Sequence, residues 1–393
     1  MSPLLCLALA ASPLSFPDAI RLSSQAPELE GARRAVEARK AVLASLPLLT
    51  SNPQLLVQPG ALWEAPLGPL PEGQVSLTQS FNLGALADSR TRVARAEWEQ
   101  AGALAATRQW DLRTRAGTAW LEAWMAGEAT RAAEAEVREA DQLVERTVAA
   151  ASRGGATLAE VASARAFAAE TRALHLRWEG RQTEAGFGLA SVLGLETPAA
   201  IAGEPPQLTE PDLSGKQRVA TPHLAVLDAQ LRASVAREAE AAALWATSLQ
   251  LSLGGSHQAP GEWILSLGVG LTLPVFERGQ AEAGSHHALG VRLLGERTDA
   301  AREARLTLKV LRHELQHARE LDEVVRGEQL SAALEAVRLE TRRHAQGEGT
   351  LVELLLVRRT GLAAVLAALE AQVGLLATRW KAQAWVDLLE DTP

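Results

Sequence analysis

Leu265 to Pro274 reads LSLGVGLTLP, and Ser248 to Gly254, shortly before it, reads SLQLSLG. In the later stretch Leu265, Leu267, Val269, Leu271 and Leu273 fall on one side of an extended chain. Ser266, Gly268, Gly270, Thr272 and Pro274 fall on the other. In the earlier stretch Leu249, Leu251 and Leu253 alternate in the same way with Ser248, Gln250, Ser252 and Gly254. Two strands are predicted, near 247–255 and 263–275. A half-buried soluble sheet shows this alternation with its polar face in water. A transmembrane barrel shows it too, with apolar side chains in lipid and small or polar ones in the lumen, on strands of about 9–11 residues. Ile264 to Pro274 has that length, and Trp63, Trp245 and Trp263 stand near strand ends, where an aromatic girdle lies. The barrel reading makes Leu249, Leu251, Leu253, Leu265, Leu267, Val269 and Leu271 lipid-facing.

A weaker version of the pattern lies upstream. Val75, Leu77 and Phe81 alternate with Ser76, Thr78 and Ser80, and Leu55 and Val57 mark a poorer partner. Strands are expected near 52–58 and 74–82. Four strands do not close a barrel, because the smallest outer-membrane barrels need about eight. The barrel therefore requires an oligomer; a trimer pools twelve strands and leaves no free edge.

Each strand pair is followed by a proline-free stretch rich in Ala, Leu, Glu and Arg, from Gly84 to Ala151 and from Gly279 to Ala345. At about 1.5 Å per residue each would span roughly 100 Å as a helix, which suggests coiled-coil or tubular packing. Each ends in a glycine-containing turn, near 153–157 and 346–350. There Gly154 and Gly347 suit left-handed backbone, and Thr157 and Thr350 stand three residues before Glu160 and Glu353 in capping-box spacing. A returning helix follows each turn.

The chain repeats itself. SLTQSF recurs as GLTLPVF, and GGATLAEVASAR (Gly154 to Arg165) recurs as GEGTLVELLLVR (Gly347 to Arg358). Pro27 and Leu29 likewise match Pro222 and Leu224. The resulting organisation is a signal or disordered segment at 1–22, a first repeat at 23–202, a Pro- and Gly-rich linker at 203–219 and a second repeat at 220–390. Leu4 to Ala11 is a short apolar run followed by small residues, as in an export signal. The preceding Met1-Ser2-Pro3 lacks the usual basic residue, and Cys6 stands too near Met1 for a lipidation motif.

Composition agrees. The 393 residues are 47% hydrophobic and 22% charged, with ten Trp, five Phe and no Tyr. A net charge of −8 argues against a nucleic-acid partner, and one cysteine excludes a disulfide framework or a CxxC metal site. No window is read as approaching the ~20 uncharged apolar residues of a membrane-spanning helix.

A helix, two strands, a very long helix, a glycine tip and a returning helix, all duplicated, resemble the TolC-like outer-membrane efflux proteins from about Pro27 to Leu389. The most specific pieces are LPVFERGQAEA (Leu273 to Ala283) and HAQGEGTLVELLLVRR (His344 to Arg359). The first is similar to the strand exit of the heavy-metal branch, which serves cobalt–zinc–cadmium and copper exporters. NPQLLV (Asn52 to Val57) and SLTQSFNLG (Ser76 to Gly84) look like that branch too. The resemblance implies a mainly α fold with a small β part and a homotrimer in the bacterial outer membrane. Its twelve-stranded barrel would stand in lipid, and a helical tube would cross the periplasm. It further implies docking to a periplasmic adaptor fed by an inner-membrane pump, no enzymatic activity, no cofactor, and metal cations as a candidate cargo. By the same alignment Gly154, Gly155, Thr157, Leu158, Gly347, Gly349, Thr350 and Leu351 meet the adaptor, and Glu160 and Glu353 ring the periplasmic aperture. The competing reading of these glutamates is an ordinary helix cap. The chain departs from the family at Leu356, where members carry an acid, and at Gly349, where some carry a charged gate partner.

His313-Glu314-Leu315-Gln316-His317 matches the HExxH of zinc peptidases, with Glu335 as a conceivable third ligand. Arg312 and Arg319 flank the pair, and the other repeat has no such histidines, so a solvated helix face or a loose metal contact competes with catalytic zinc. His286 and His287 are adjacent and diverge by about 100° on a helix, which ill suits one ion. A soluble helical scaffold is the remaining alternative.

Overall fold

In the computed structural model the residues described are 13–46, 51–64, 68–211, 213, 221–258, 261–273, 275–276 and 278–390, with backbone alone for 62–64, 68–71 and 387–390. The apolar run with Cys6, residues 214–219 of the linker, Pro274 and the side chain of Trp63 lie outside them. The order is α1 (Phe16–Ser23), α2 (Pro27–Ala44), β1 (Gln54–Glu64), β2 (Gly68–Asn82), α3 (Leu86–Ala151), α4 (Leu158–Leu193), α5 (Pro222–Leu244), β3 (Ser248–Gln258), β4 (Glu262–Thr272), α6 (Gln280–Asp322), a π-helical turn (Glu323–Gln329), α7 (Leu330–Ala345) and α8 (Leu351–Glu390). The chain divides into two units. One comprises residues 1–31, 106–221 and 302–393, the other 32–105 and 222–301.

The second unit holds one antiparallel sheet in the order β1-β2-β3-β4. β1 and β2 run longer than the alternation suggests, through Pro59, Pro69 and Pro71. Proline removes a ladder donor and is confined to edges. Pro59 sits on the edge strand, and β2 has no β3 neighbour before Gly73, so these prolines fall where one side of the strand is unpaired.

The first unit is built on α3, α4 and α8. Its main core gathers Leu14, Phe16, Trp120, Leu121, Leu189, Val373 and Trp380. Alanines such as Ala116, Ala133, Ala164, Ala364 and Ala382 are almost fully buried, and their small side chains let the helices approach closely. α8 corrects one expectation: its Leu351–Val386 stretch is long and apolar enough, by length and composition, to cross a membrane. Its charges sit mainly toward its two ends, leaving an alanine- and leucine-rich middle whose Ala364, Ala368, Ala371, Val373 and Leu376 are buried in this unit.

At the start of the described chain, α1 occupies the end of the stretch expected as a signal or disordered segment. Ser15 caps that helix, and Phe16 and Ala19 are buried. Leu14 N–H donates to the Ala200 carbonyl (2.8 Å), and the Leu14 carbonyl accepts from Ala202 N–H (3.0 Å). Linker residues Pro211 and Leu213 are also buried rather than loose.

Candidate membrane wall and helical tips

The register of the sheet decides what each face presents. Leu55, Leu77, Leu253 and Leu267 form one row across all four strands. Val57, Val75, Gly255 and Leu265 form the next, and Phe81, Leu249 and Leu271 another. Directly opposite residues of antiparallel strands share a face, so these rows stack into one apolar surface. The alternate rows are Gln54-Thr78-Ser252-Gly268, Leu56-Ser76-Gly254-Ser266 and Ser80-Gln250-Gly270. Leu56 is their apolar exception; Gln79 and His257 are polar ones on the apolar face, and the Gln79 amide donates to the carbonyls of Ser51 (3.0 Å) and Ser80 (2.9 Å).

The two faces differ in exposure in the direction a barrel wall requires. Leu265, Leu267 and Val269 are 81%, 80% and 70% exposed, and Leu251, Leu253 and Leu271 are exposed as well. Leu249 is half-buried. On the polar face Ser76, Thr78, Ser252, Gly268 and Gly270 are half-buried and Gly254 is buried. A Cβ on Gly268 would stand 2.4 Å from Ser252 Oγ. The middle of the polar face is thus the more crowded side of the sheet and the apolar face the more open one. Trp263 is 78% exposed on the apolar side and packs at 4.8 Å on His257, its cross-strand partner. Among the described residues both β1 and β4 leave one edge unpaired.

The tips belong to the other unit. Gly154 and Gly347 have φ of +76° and +77°, a left-handed turn that a side chain disfavours. Thr157 N–H donates to Glu160 Oε2 (2.7 Å) while Glu160 N–H donates to Thr157 Oγ1 (3.1 Å). Thr350 and Glu353 repeat the arrangement at 3.0 and 3.3 Å. Both glutamates are therefore helix caps in fact. The carboxylate of Glu160 is held below its ordinary value of 4.5 by the Thr157 backbone N–H, then by its hydroxyl. That of Glu353 is held down likewise by Thr350. A depressed carboxylate stabilises the fold above its unfolded value and loses that contribution as pH falls through the folded one. Acidification below about 4.5 is accordingly expected to release the two carboxylate-held amides, read as lost amide-exchange protection at residues 157 and 350. Thr157→Ala is expected to cost about 0.5–2 kcal/mol at the same place at neutral pH.

Sequence-equivalent tip residues differ in packing. Leu158 is 84% exposed, whereas Leu351 is 3% exposed, packed with Leu354, Leu355, Phe167 and Leu143. The Leu351 side chain is therefore turned inward, and Val352 and Leu356 are the exposed apolar neighbours, at 64% and 62%. The run LVELLLV signalled apolar character but not which of its residues turn outward. Behind the tips Arg358 bonds Glu136 (2.8 Å) and Glu139 (3.2 Å), tying α8 to α3, while Arg165, its sequence equivalent, is exposed. His344 Nδ1 lies 3.3 Å from the Gly349 carbonyl. Glu340 is buried beside Gly349, with one oxygen bonded by Arg343 and the other without a hydrogen-bond partner among the described residues.

His313, Glu314 and His317 all lie on the exposed face of α6, and Glu335 is on α7. Among the described residues no group of three or more His, Cys, Asp or Glu is placed to hold a metal ion. Among the described residues the geometry brings no third ligand to the HExxH motif.

No family profile and no curated protein sequence matches the chain. Solved structures do. The outer membrane protein VceC of Vibrio cholerae matches with a TM-score of 0.73 at 17% identity, over 95% of each chain. CusC, known from crystal structures addressing its folding and transmembrane channel formation, matches with a TM-score of 0.75 at 16% identity, over 95% of this chain and 91% of that one. The Campylobacter jejuni CmeC outer membrane channel matches with a TM-score of 0.73 at 14% identity, over 94% of this chain and 85% of that one. The chain has the TolC-like channel fold. The TolC-like fold accounts for why a four-stranded sheet and helices of this length share one chain. It supports neither a zinc peptidase nor a soluble scaffold.

Proposed function

We propose that the chain is the outer-membrane duct of a tripartite export system. One observation carries the reading: the leucines and valines at odd-numbered positions of all four strands form an apolar surface that none of the described residues covers. In water such a surface with two open edges is an aggregation hazard. In a bilayer it is a wall. Three chains of four strands make twelve, joining each β4 to the next β1, with Ser, Thr, Gln and Gly toward the lumen.

The helices then form the periplasmic part of the duct, and the exposed tip residues Gly154, Gly155, Leu158, Gly347, Val352 and Leu356 meet a periplasmic adaptor. Thr157, Thr350 and Gly349 shape the tips, and Leu351 braces them from inside. The duct performs no chemistry; an inner-membrane pump supplies the driving force. Three copies of Glu353 near the axis, and three of Glu160, favour cations over anions at the narrow end. Purified in detergent, the protein is expected to run as a trimer and to conduct in planar bilayers with cation preference, reduced in Glu353→Gln. A water-soluble monomer without conductance would overturn the reading.

A further inference from the structure

The HExxH motif that the fold leaves unused has a second chemical meaning. His313 and His317 are four residues apart on the uninterrupted α6, so their imidazoles lie on one face of the helix, with ring centroids 6.3 Å apart. Both are exposed and neither ring has a hydrogen-bond or ion-pair partner among the described residues. Leu311 and Leu315, on the opposite side of the helix, are the buried pair. Nothing therefore restrains either ring from turning toward a shared ion.

The flanking arginines, which on sequence alone would repel a cation, are committed elsewhere. The Arg312 guanidinium donates to the Leu213 carbonyl, and Arg319 pairs with Glu210. Both are drawn to the linker side of α6. Glu320, three residues beyond His317, shares the histidine face, and its carboxylate accepts from Gln316 (2.9 Å). Glu320 thus puts an anionic group on the histidine face, and the Arg319 charge is matched by Glu210.

We propose that His313 and His317 form a bidentate site for an imidazole-preferring divalent cation such as Zn2+, Ni2+ or Cu2+. Metal–nitrogen bonds of about 2.0–2.1 Å need the two nitrogens about 3 Å apart, within reach of two freely rotating side chains one helical turn apart. Water completes the shell, so the ion exchanges readily, unlike one in a closed structural site. Two imidazole lone pairs replace two aqua ligands of the hydrated ion, which leave as water. The site does not depend on the duct reading.

Titration of the full-length protein with ZnCl2 and NiCl2, followed by calorimetry, tests this. One saturable equivalent per chain is expected, absent for MgCl2, lost in His313→Ala and in His317→Ala, and retained in the His286→Ala/His287→Ala double variant. The Cu2+ form is expected to show two-nitrogen hyperfine structure in electron paramagnetic resonance, reduced to one in His317→Ala. Both positions are on an exposed helix face, so the variants are expected to keep the parent circular dichroism and oligomer size. Uptake unchanged in His317→Ala, or lost instead in the His286/His287 variant, overturns the assignment.

Discussion

Leu267→Lys is expected to abolish assembly into the membrane, while Thr78→Lys, on the neighbouring row of the same sheet, is expected to leave it intact. Leu267 belongs to the row Leu55-Leu77-Leu253-Leu267, midway along β3 and β4, and is 80% exposed on the apolar face. A lysine on the lipid face at the bilayer midplane costs about 2–4 kcal/mol. Three copies of the chain incur that cost three times. Thr78 pairs through Ser252 with Gly268, adjacent to Leu267 in β4, so it stands at nearly the same depth but points to the polar side. A lysine there meets water and changes conductance rather than insertion. The comparison is read from membrane fractionation and detergent-resistant oligomer on gels. Equal tolerance of both substitutions would mean that the apolar face does not meet lipid.

The largest effect in the helical unit is expected at Trp120. Its side chain is fully buried, its ring meets Phe16 edge-on at 5.4 Å, and its Nε1–H donates to the Leu14 carbonyl at 2.9 Å. Trp120→Ala removes the bulk around which the core gathers and is expected to cost about 3–5 kcal/mol. Trp120→Phe keeps most of the bulk and loses the hydrogen bond. Because the Leu14 carbonyl also accepts from Ala202 N–H, it is not left orphaned, and the hydrogen-bond loss is about 0.5–1.5 kcal/mol. The order alanine, then phenylalanine, then parent in thermal midpoint, with protease cleavage appearing near residues 14–23 in the alanine variant, checks the assignment. An alanine variant within about 1 kcal/mol of the parent would show that the site collapses without loss.

Legibility in the sequence followed the range of the forces involved. β3 and β4 were plain because a period of two over a whole strand has no helical imitation. β1 extends past the strand expected near 52–58 because only Leu55 and Val57 carry the alternation, and Pro59 follows them. Only its place at the edge of the sheet lets a proline sit inside a strand. The tips were legible as local chemistry, in a glycine for the left-handed turn and a Thr-x-x-Glu box to start the next helix. What local chemistry does not encode is which of two equivalent leucines faces inward. Leu158 and Leu351 occupy the same place in the same motif, and a cluster drawn from α3, α4 and α8 buries only the second. The packing of α1 was not legible for a similar reason, since its apolar residues serve a tryptophan about a hundred residues away in sequence. Arg312 and Arg319 carry the same lesson. Their charge was visible in the sequence, but the carbonyl and carboxylate that occupy them lie on the linker.

The claim that lipid touches the apolar face is tested most directly by spin labels placed one at a time from Ile264 to Thr272 in the vesicle-reconstituted protein. Collision with oxygen, which partitions into lipid, is expected to peak at 265, 267, 269 and 271. Collision with a water-soluble nickel chelate is expected to peak at 266, 268, 270 and 272. Labels at 265, 267 and 269 that collide with the nickel chelate, or with neither reagent, would contradict the account.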